Sequence, residues 1–184
     1  MSGVTGPDPF DLAGSVAVVT GGGGVLGRVF AVALAGRGAA VAVVDVDAAA
    51  ADVTVAAVSS VGGTALAVAC DVADPGDVDA MAASVDAELG VPHVLVNNAA
   101  TKTADVRRFF SASAETDLAL WREVMAVNLD GMFLVARAVG GRIAAAGRGS
   151  VVQTASIYGV VAPDLRIYAD LEHLGAPMTS PVTY

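Results

Sequence analysis

Short apolar runs recur along the chain, SVAVVT at 15–20, AVAVVD at 40–45, TALAVAC at 64–70, HVLVN at 93–97 and SVVQT at 150–154, and each reads as a β-strand. Within them apolar residues follow one another rather than alternating with polar ones. Strands covered by helices on both faces of a parallel sheet have that composition. The intervening segments carry apolar residues at three- and four-residue spacing, so the pattern predicts repeated βα units and an α/β fold.

Behind the first run, Leu26, Val29, Phe30, Ala33 and Leu34 mark one side of a helix. Asp74, Pro75 and Asp77 start a third helix, whose buried face is expected at Val78, Met81, Ala82, Val85 and Leu89, and Gly90 and Pro92 stop it. From about Asp117 to Ala146, Leu118, Trp121, Val124, Met125, Leu129, Met132 and Phe133 keep helical spacing, which predicts one long helix ending near Gly147. Residues 155–184, broken by Gly159, Pro163, Gly175, Pro177 and Pro181, are expected to be irregular apart from one helical turn.

Composition narrows the functional classes. The chain has 184 residues, 55% of them hydrophobic, which suits a single domain over 1–184. Its net charge is −9 and its ten Lys and Arg residues form no basic stripe, so nucleic acid is not an expected partner. Cys70 is the only cysteine, which leaves no internal disulfide and no multi-cysteine metal site; no metal is expected. The N-terminal MSGVTGPDPFDLAGS lacks the pattern of a secretory signal, and a cytoplasmic location is expected. The 18-residue uncharged stretch 53–70 is too polar and glycine-broken to span a membrane.

Candidate chemistry begins where the first strand meets TGGGGVLG at 20–27. Glycines there let backbone approach a pyrophosphate, and the following helix offers free N–H groups and the positive end of its dipole. Asp45 ends the second strand, 18 positions after Gly27. A carboxylate at that point accepts hydrogen bonds from the ribose hydroxyls of an adenosine and repels a 2′-phosphate, which favours NAD over NADP. A nucleotide-hydrolysing P-loop is excluded, because Arg28-Val29 follows Gly27 where Lys and Ser or Thr are required. A glycine loop with an acid after strand two would also suit S-adenosylmethionine, but the order of the asparagine, serine and tyrosine motifs downstream disfavours a methyltransferase.

With CDV at 70–72, NNAA at 97–100, VNLDG at 127–131 and TASIYG at 154–159 added in order, the chain resembles the short-chain dehydrogenases/reductases over roughly residues 10–184. The resemblance implies a Rossmann-like doubly wound parallel sheet with five strands present. It implies that Gly21, Val25, Leu26 and Gly27 line the dinucleotide, that Asp71 with Val72 holds the adenine, and that the Asn98-Ala99-Ala100 backbone passes beside the cofactor. Asn128 would support a proton relay, and Ser156 would hydrogen-bond the substrate oxygen. Tyr184 would be the general acid/base during hydride transfer to or from nicotinamide. Val25 and Ala100 stand where glycine is commoner in the family.

Tyr184 is preferred to Tyr168 as the family tyrosine although it lengthens the interval from Ser156 to 28 positions, because Glu172 rather than a lysine stands four residues after Tyr168. That long interval resembles members acting on sugars and sugar acids. The expected lysine would fall at position 188, so the resemblance implies that the last strands and helices of the domain are missing. Phenol without a neighbouring cation is badly matched to proton transfer at neutral pH. The expected whole protein is an NAD(H)-dependent oxidoreductase acting on a small alcohol or carbonyl compound, forming a homodimer or homotetramer. The 184-residue chain is expected to show little activity, with a non-catalytic dinucleotide-binding fragment as the alternative.

Overall fold

The computed structural model describes residues 8–104, 117–161 and 164. Five strands, β1 (Val16–Thr20), β2 (Ala40–Asp45), β3 (Thr64–Ala69), β4 (Val94–Asn97) and β5 (Ser150–Gln153), form a parallel sheet in the order β3-β2-β1-β4-β5. The chain moves outward from β1 to β3 and then returns to the other side of β1, so the order reverses between β1 and β4. In open α/β sheets the crevice beyond the strand ends at such a reversal is where ligands bind.

Alternate residues of the central strands enter opposite cores. Val16 and Val18 of β1 pack with Ala42, Val44 and Leu95 beneath Val78, Met81 and Val85 of helix α3 (Pro75–Glu88). Ala17 and Val19 pack with Val41, Val43 and Val96 beneath Ala31 and Ala35 of α1 (Val25–Ala35) and Ala51 and Val58 of α2 (Ala48–Ser60). Burial on both faces holds for β1, β2 and most of β4, but β3 is only partly buried and all four residues of β5 are exposed. Among the described residues these two are the sheet edges, where apolar residues persist without full cover.

Two helices depart from the periodicity reading. The face of α1 that meets the sheet is Gly27, Ala31 and Ala35, flanked by Phe30 and Leu34, while Leu26, Val29 and Ala33 face outward. Small residues set this face because helix and sheet approach closely there: a Cβ on Gly27 would collide with the carbonyl oxygen of Gly21. The predicted long helix is three pieces, α4 (Leu118–Met125), a π-helical turn over Ala126–Gly131, and α5 (Met132–Ala145). That turn shifts the register, so the inward residues are Leu120, Val124, Val135, Ala138, Val139 and Ile143, and Leu118, Leu129 and Phe133 are exposed. Over Leu118–Ala145 length and mean hydropathy would suit a membrane span. Val135, Val139 and Ile143, however, share a core with β1 and β4, as in a helix covering a sheet.

The remaining boundaries follow local chemistry. Asp74 caps α3 by accepting the N–H groups of Gly76 and Asp77, with Pro75 in the first turn, and Gly90 leaves the helix at φ +95°. Asp117 accepts the Leu120 N–H at the start of α4, and Asp47 caps α2 through the Ala50 N–H.

Candidate functional site

Thr20, the last residue of β1, lies fully buried beside Asn97, the last of β4. Its hydroxyl donates to Asn97 Oδ1 (3.1 Å) and accepts the N–H groups of Asn98 (2.9 Å) and Ala99 (3.1 Å), while Asn98 Nδ2 donates to the Thr20 carbonyl (3.2 Å). Asn97 Nδ2 donates in turn to the Met132 carbonyl at 2.7 Å. One hydroxyl therefore holds the segment leaving β4 against the glycine loop leaving β1. Thr20 and Asn97 open the TGGGGVLG and NNAA motifs, but the sequence assigns neither of them a role. Their signal was a polar residue closing each of two fully apolar runs, at the strand ends where the sheet order reverses.

The glycine loop starts at Gly21, whose φ of +62° places it in the left-handed region, and a Cβ there would stand 3.0 Å from Ala99 Cα. Glycine is required both for that backbone turn and for the approach of Ala99. Gly24 caps α1, and the N–H groups of Val25, Leu26 and Gly27 in its first turn have no intrahelical acceptor. Val25 is 84% exposed, and neither it nor Leu26 lines either of the two cavities described below; what this turn offers an anion is backbone N–H and the positive dipole end. Val25 starts the helix at ordinary negative φ, so the missing glycine costs the turn nothing.

Asp45 lies at the far side of the loop. Its Oδ2 accepts the Gly23 N–H at 2.9 Å and its Oδ1 accepts the Asp47 N–H at 3.0 Å, which fixes the plane of the carboxylate. A cavity of about 280 Å³ opens beside it, bounded by Gly21, Asp45, Asp71, Val72, Ala99 and Ala100, with Cys70 and Val127 also in its wall. Asp71 Oδ1 accepts the Ala73 N–H, and Val72 is pressed by Gly131, where a Cβ would meet Val72 Cγ2 at 2.8 Å.

A larger cavity of about 460 Å³ lies across the Ala99-Ala100 backbone and is bounded by Asn98, Asn128, Met132, Thr154 and Ser156. Asn128 sits in the π-helical turn. Its Oδ1 accepts the Thr101 N–H at 2.7 Å and its Nδ2 donates to the Thr101 carbonyl at 3.1 Å, a two-point clamp on the segment after β4. Ser156 Oγ accepts the Tyr158 N–H at 3.1 Å and caps a short 3₁₀ turn, which leaves its proton free to be donated into the cavity. The fold thus gathers Gly21, Asp45, Asp71 and Val72 around one cavity and Asn98, Asn128 and Ser156 around the other, with Ala99 and Ala100 shared. Tyr184 and Tyr168 lie outside the described residues.

Two cavities that share the Ala99-Ala100 wall, with an acid in one and a hydroxyl in the other, fit an extended dinucleotide with a reacting end. The left-handed turn at Gly21 and the open first turn of α1 fit its phosphates. A short-chain dehydrogenase family model matches residues 15–169. D-threitol dehydrogenase of Mycolicibacterium smegmatis is 40% identical over 86% of this chain and 58% of its own length, and galactitol 2-dehydrogenase (L-tagatose-forming) of Cereibacter sphaeroides is 41% identical over 83% and 56%. NAD⁺-bound xylitol dehydrogenase superposes with a TM-score of 0.77 at 28% identity, covering 91% of this chain and 67% of that one. A metagenomic short-chain oxidoreductase in complex with NADP does so with 0.75 at 32% identity, covering 83% and 66%. The chain spans a little over half the length of the two curated relatives. Strand order, glycine turn, cavity walls and family match agree, and the chain belongs to the short-chain dehydrogenase family.

Proposed function

We propose that this chain is the nucleotide-binding portion of an NAD(H)-dependent oxidoreductase that moves a hydride between nicotinamide and an alcohol or carbonyl group, with a polyol or sugar as the substrate class. The observation that carries the cofactor half is the Asp45 carboxylate, held by two backbone N–H groups at the edge of the smaller cavity. Held there, it accepts from both ribose hydroxyls and repels a phosphate on the 2′ oxygen. Asp71 and Val72 flank the adenine, and the first-turn N–H groups of α1 receive the pyrophosphate. When bound, the nicotinamide supplies or accepts the hydride.

At the reacting end, Ser156 donates its proton to the substrate oxygen, Asn128 keeps the Thr101 segment clamped beside it, and Tyr184 exchanges the proton that accompanies hydride transfer. The polyol assignment draws on the names of the relatives and on the long interval from Ser156 to Tyr184. The exposed Leu118, Leu129 and Phe133 supply an apolar face for self-association of the whole protein.

Fluorescence titration with NADH and NADPH tests the reading. The native chain is expected to prefer NADH, and Asp45→Asn to reduce that preference by about tenfold or more, since it removes the charge while keeping the shape. A native preference for NADPH, or a preference that Asp45→Asn leaves unchanged, overturns it.

A further inference from the structure

All four backbone polar groups of Gly22 and Gly23 are satisfied by the protein itself. Gly22 N–H donates to the Val44 carbonyl (2.9 Å) and Gly23 N–H to Asp45 Oδ2 (2.9 Å). The Gly22 carbonyl accepts from Thr54 Oγ1 (2.9 Å) and the Gly23 carbonyl from Arg28 Nη2 (3.3 Å). Arg28 Nε also donates to Thr54 Oγ1 at 3.3 Å, which joins the two anchors. The first half of the glycine run is therefore committed to the strand and helix that follow it.

Neither glycine has a side chain to hold its peptide plane, and neither can take one: a Cβ on Gly22 would lie 2.7 Å from Val43 Cγ1, and one on Gly23 would lie 2.6 Å from Ala50 Cβ. Orientation of the Gly23 N–H then depends on the hydrogen bonds around it. Thr54 is the unexpected member. It is fully buried, in line with Ala51 and Val58 on the core face of α2, where valine would pack as well, so its hydroxyl is explained by what it bonds.

We propose that Thr54 and Arg28 are positioning residues for cofactor selectivity. By holding the two carbonyls they keep the Gly23 N–H on Asp45, and so fix the carboxylate that separates a free ribose from a 2′-phosphorylated one. The inference rests on the reading of Asp45 given above. Without the anchors, the Gly22–Gly23 segment turns, Asp45 keeps only the Asp47 N–H, and its carboxylate swings away from the ribose. NADH then loses a contact while NADPH loses an opponent.

The test is the ratio of NADH to NADPH affinity by fluorescence titration, with a thermal melt on each variant. Thr54→Val is expected to lower the ratio about fivefold, the worth of one ordinary hydrogen bond, and Thr54→Ser to restore it. Arg28→Met is expected to lower it too. That direction is diagnostic, because loss of a cation acting only by its charge would weaken NADPH and raise the ratio; it also decides the matter if the valine variant does not fold. An unchanged ratio in both variants, or equal weakening of both cofactors, overturns the positioning role. If Asp45→Asn collapses the ratio while these variants keep it, this inference alone fails; if Asp45→Asn leaves the ratio unaltered, the parent reading fails first.

Discussion

Cys70 shows how a residue that looks unremarkable in the sequence acquires chemistry from its surroundings. It follows β3, is buried, and forms part of the wall of the smaller cavity. Burial, and then the carboxylates of Asp77, Asp71 and Asp74, push its thiol up to about 12. The folded state binds this proton more tightly than the unfolded chain. Its contribution to stability is therefore complete below the ordinary thiol value and is lost as pH rises toward about 12. Iodoacetamide at pH 8 should label native protein far more slowly than urea-unfolded protein, and Cys70→Ala should flatten the alkaline loss of stability; rapid native labelling would contradict this. Gly27 makes the complementary point about space. Alanine there collides with the Gly21 carbonyl, so Gly27→Ala should cost about 2 kcal/mol or more in thermal denaturation and weaken NADH binding, whereas a neutral result would mean the loop relaxes freely.

At the scale of elements, the π-helical turn over Ala126–Gly131 is the feature with the largest consequence. It carries Asn128, rotates α5 relative to α4, and lets Gly131 approach Val72, so one local irregularity shapes both cavities. By contrast, α5 contains a glycine with no such duty: Gly141 is exposed, and a Cβ there meets nothing within 4 Å. Gly141→Ala should stabilise the protein by about 1 kcal/mol, a rise of roughly 2–4 °C in melting temperature, with unchanged NADH affinity. A fall in melting temperature would place Gly141 against something the described residues do not include. Element type was legible wherever capping chemistry and periodicity agreed, as at Asp74 and Pro75 of α3. In α1 the helix was legible but its buried face was not, because the face of closest approach is made of Gly27, Ala31 and Ala35, which carry little hydrophobic signal.

On the scale of the whole molecule, burial is graded from the middle of the sheet outward among the described residues. Every residue of β1 is buried between two cores, β2 nearly so, and β5 is exposed throughout. Native-state hydrogen exchange should find the β1 and β2 amides opening only with global unfolding and those of β5 opening locally at far lower free energy. Equal protection across the sheet would refute that gradient.

Three things were written in the chain itself: the βα alternation, the glycine turn with an acid after the second strand, and the ordered asparagine and serine motifs. Each depends on local spacing or on residue types whose chemistry is intrinsic, so each survives being read in one dimension. Tertiary structure alone decided that Thr20 would bind the start of the Asn98-Ala99-Ala100 segment, that Asn128 would clamp Thr101, and that Thr54 and Arg28 would grip the two glycine carbonyls. These bonds join residues 5 to 79 positions apart, mostly through hydroxyls and backbone groups that occur everywhere in a sequence. The Thr20 bonds exist only once the reversal of strand order brings the ends of β1 and β4 together, and the Thr54 bond only once α2 packs beside the glycine loop; no periodicity encodes either meeting.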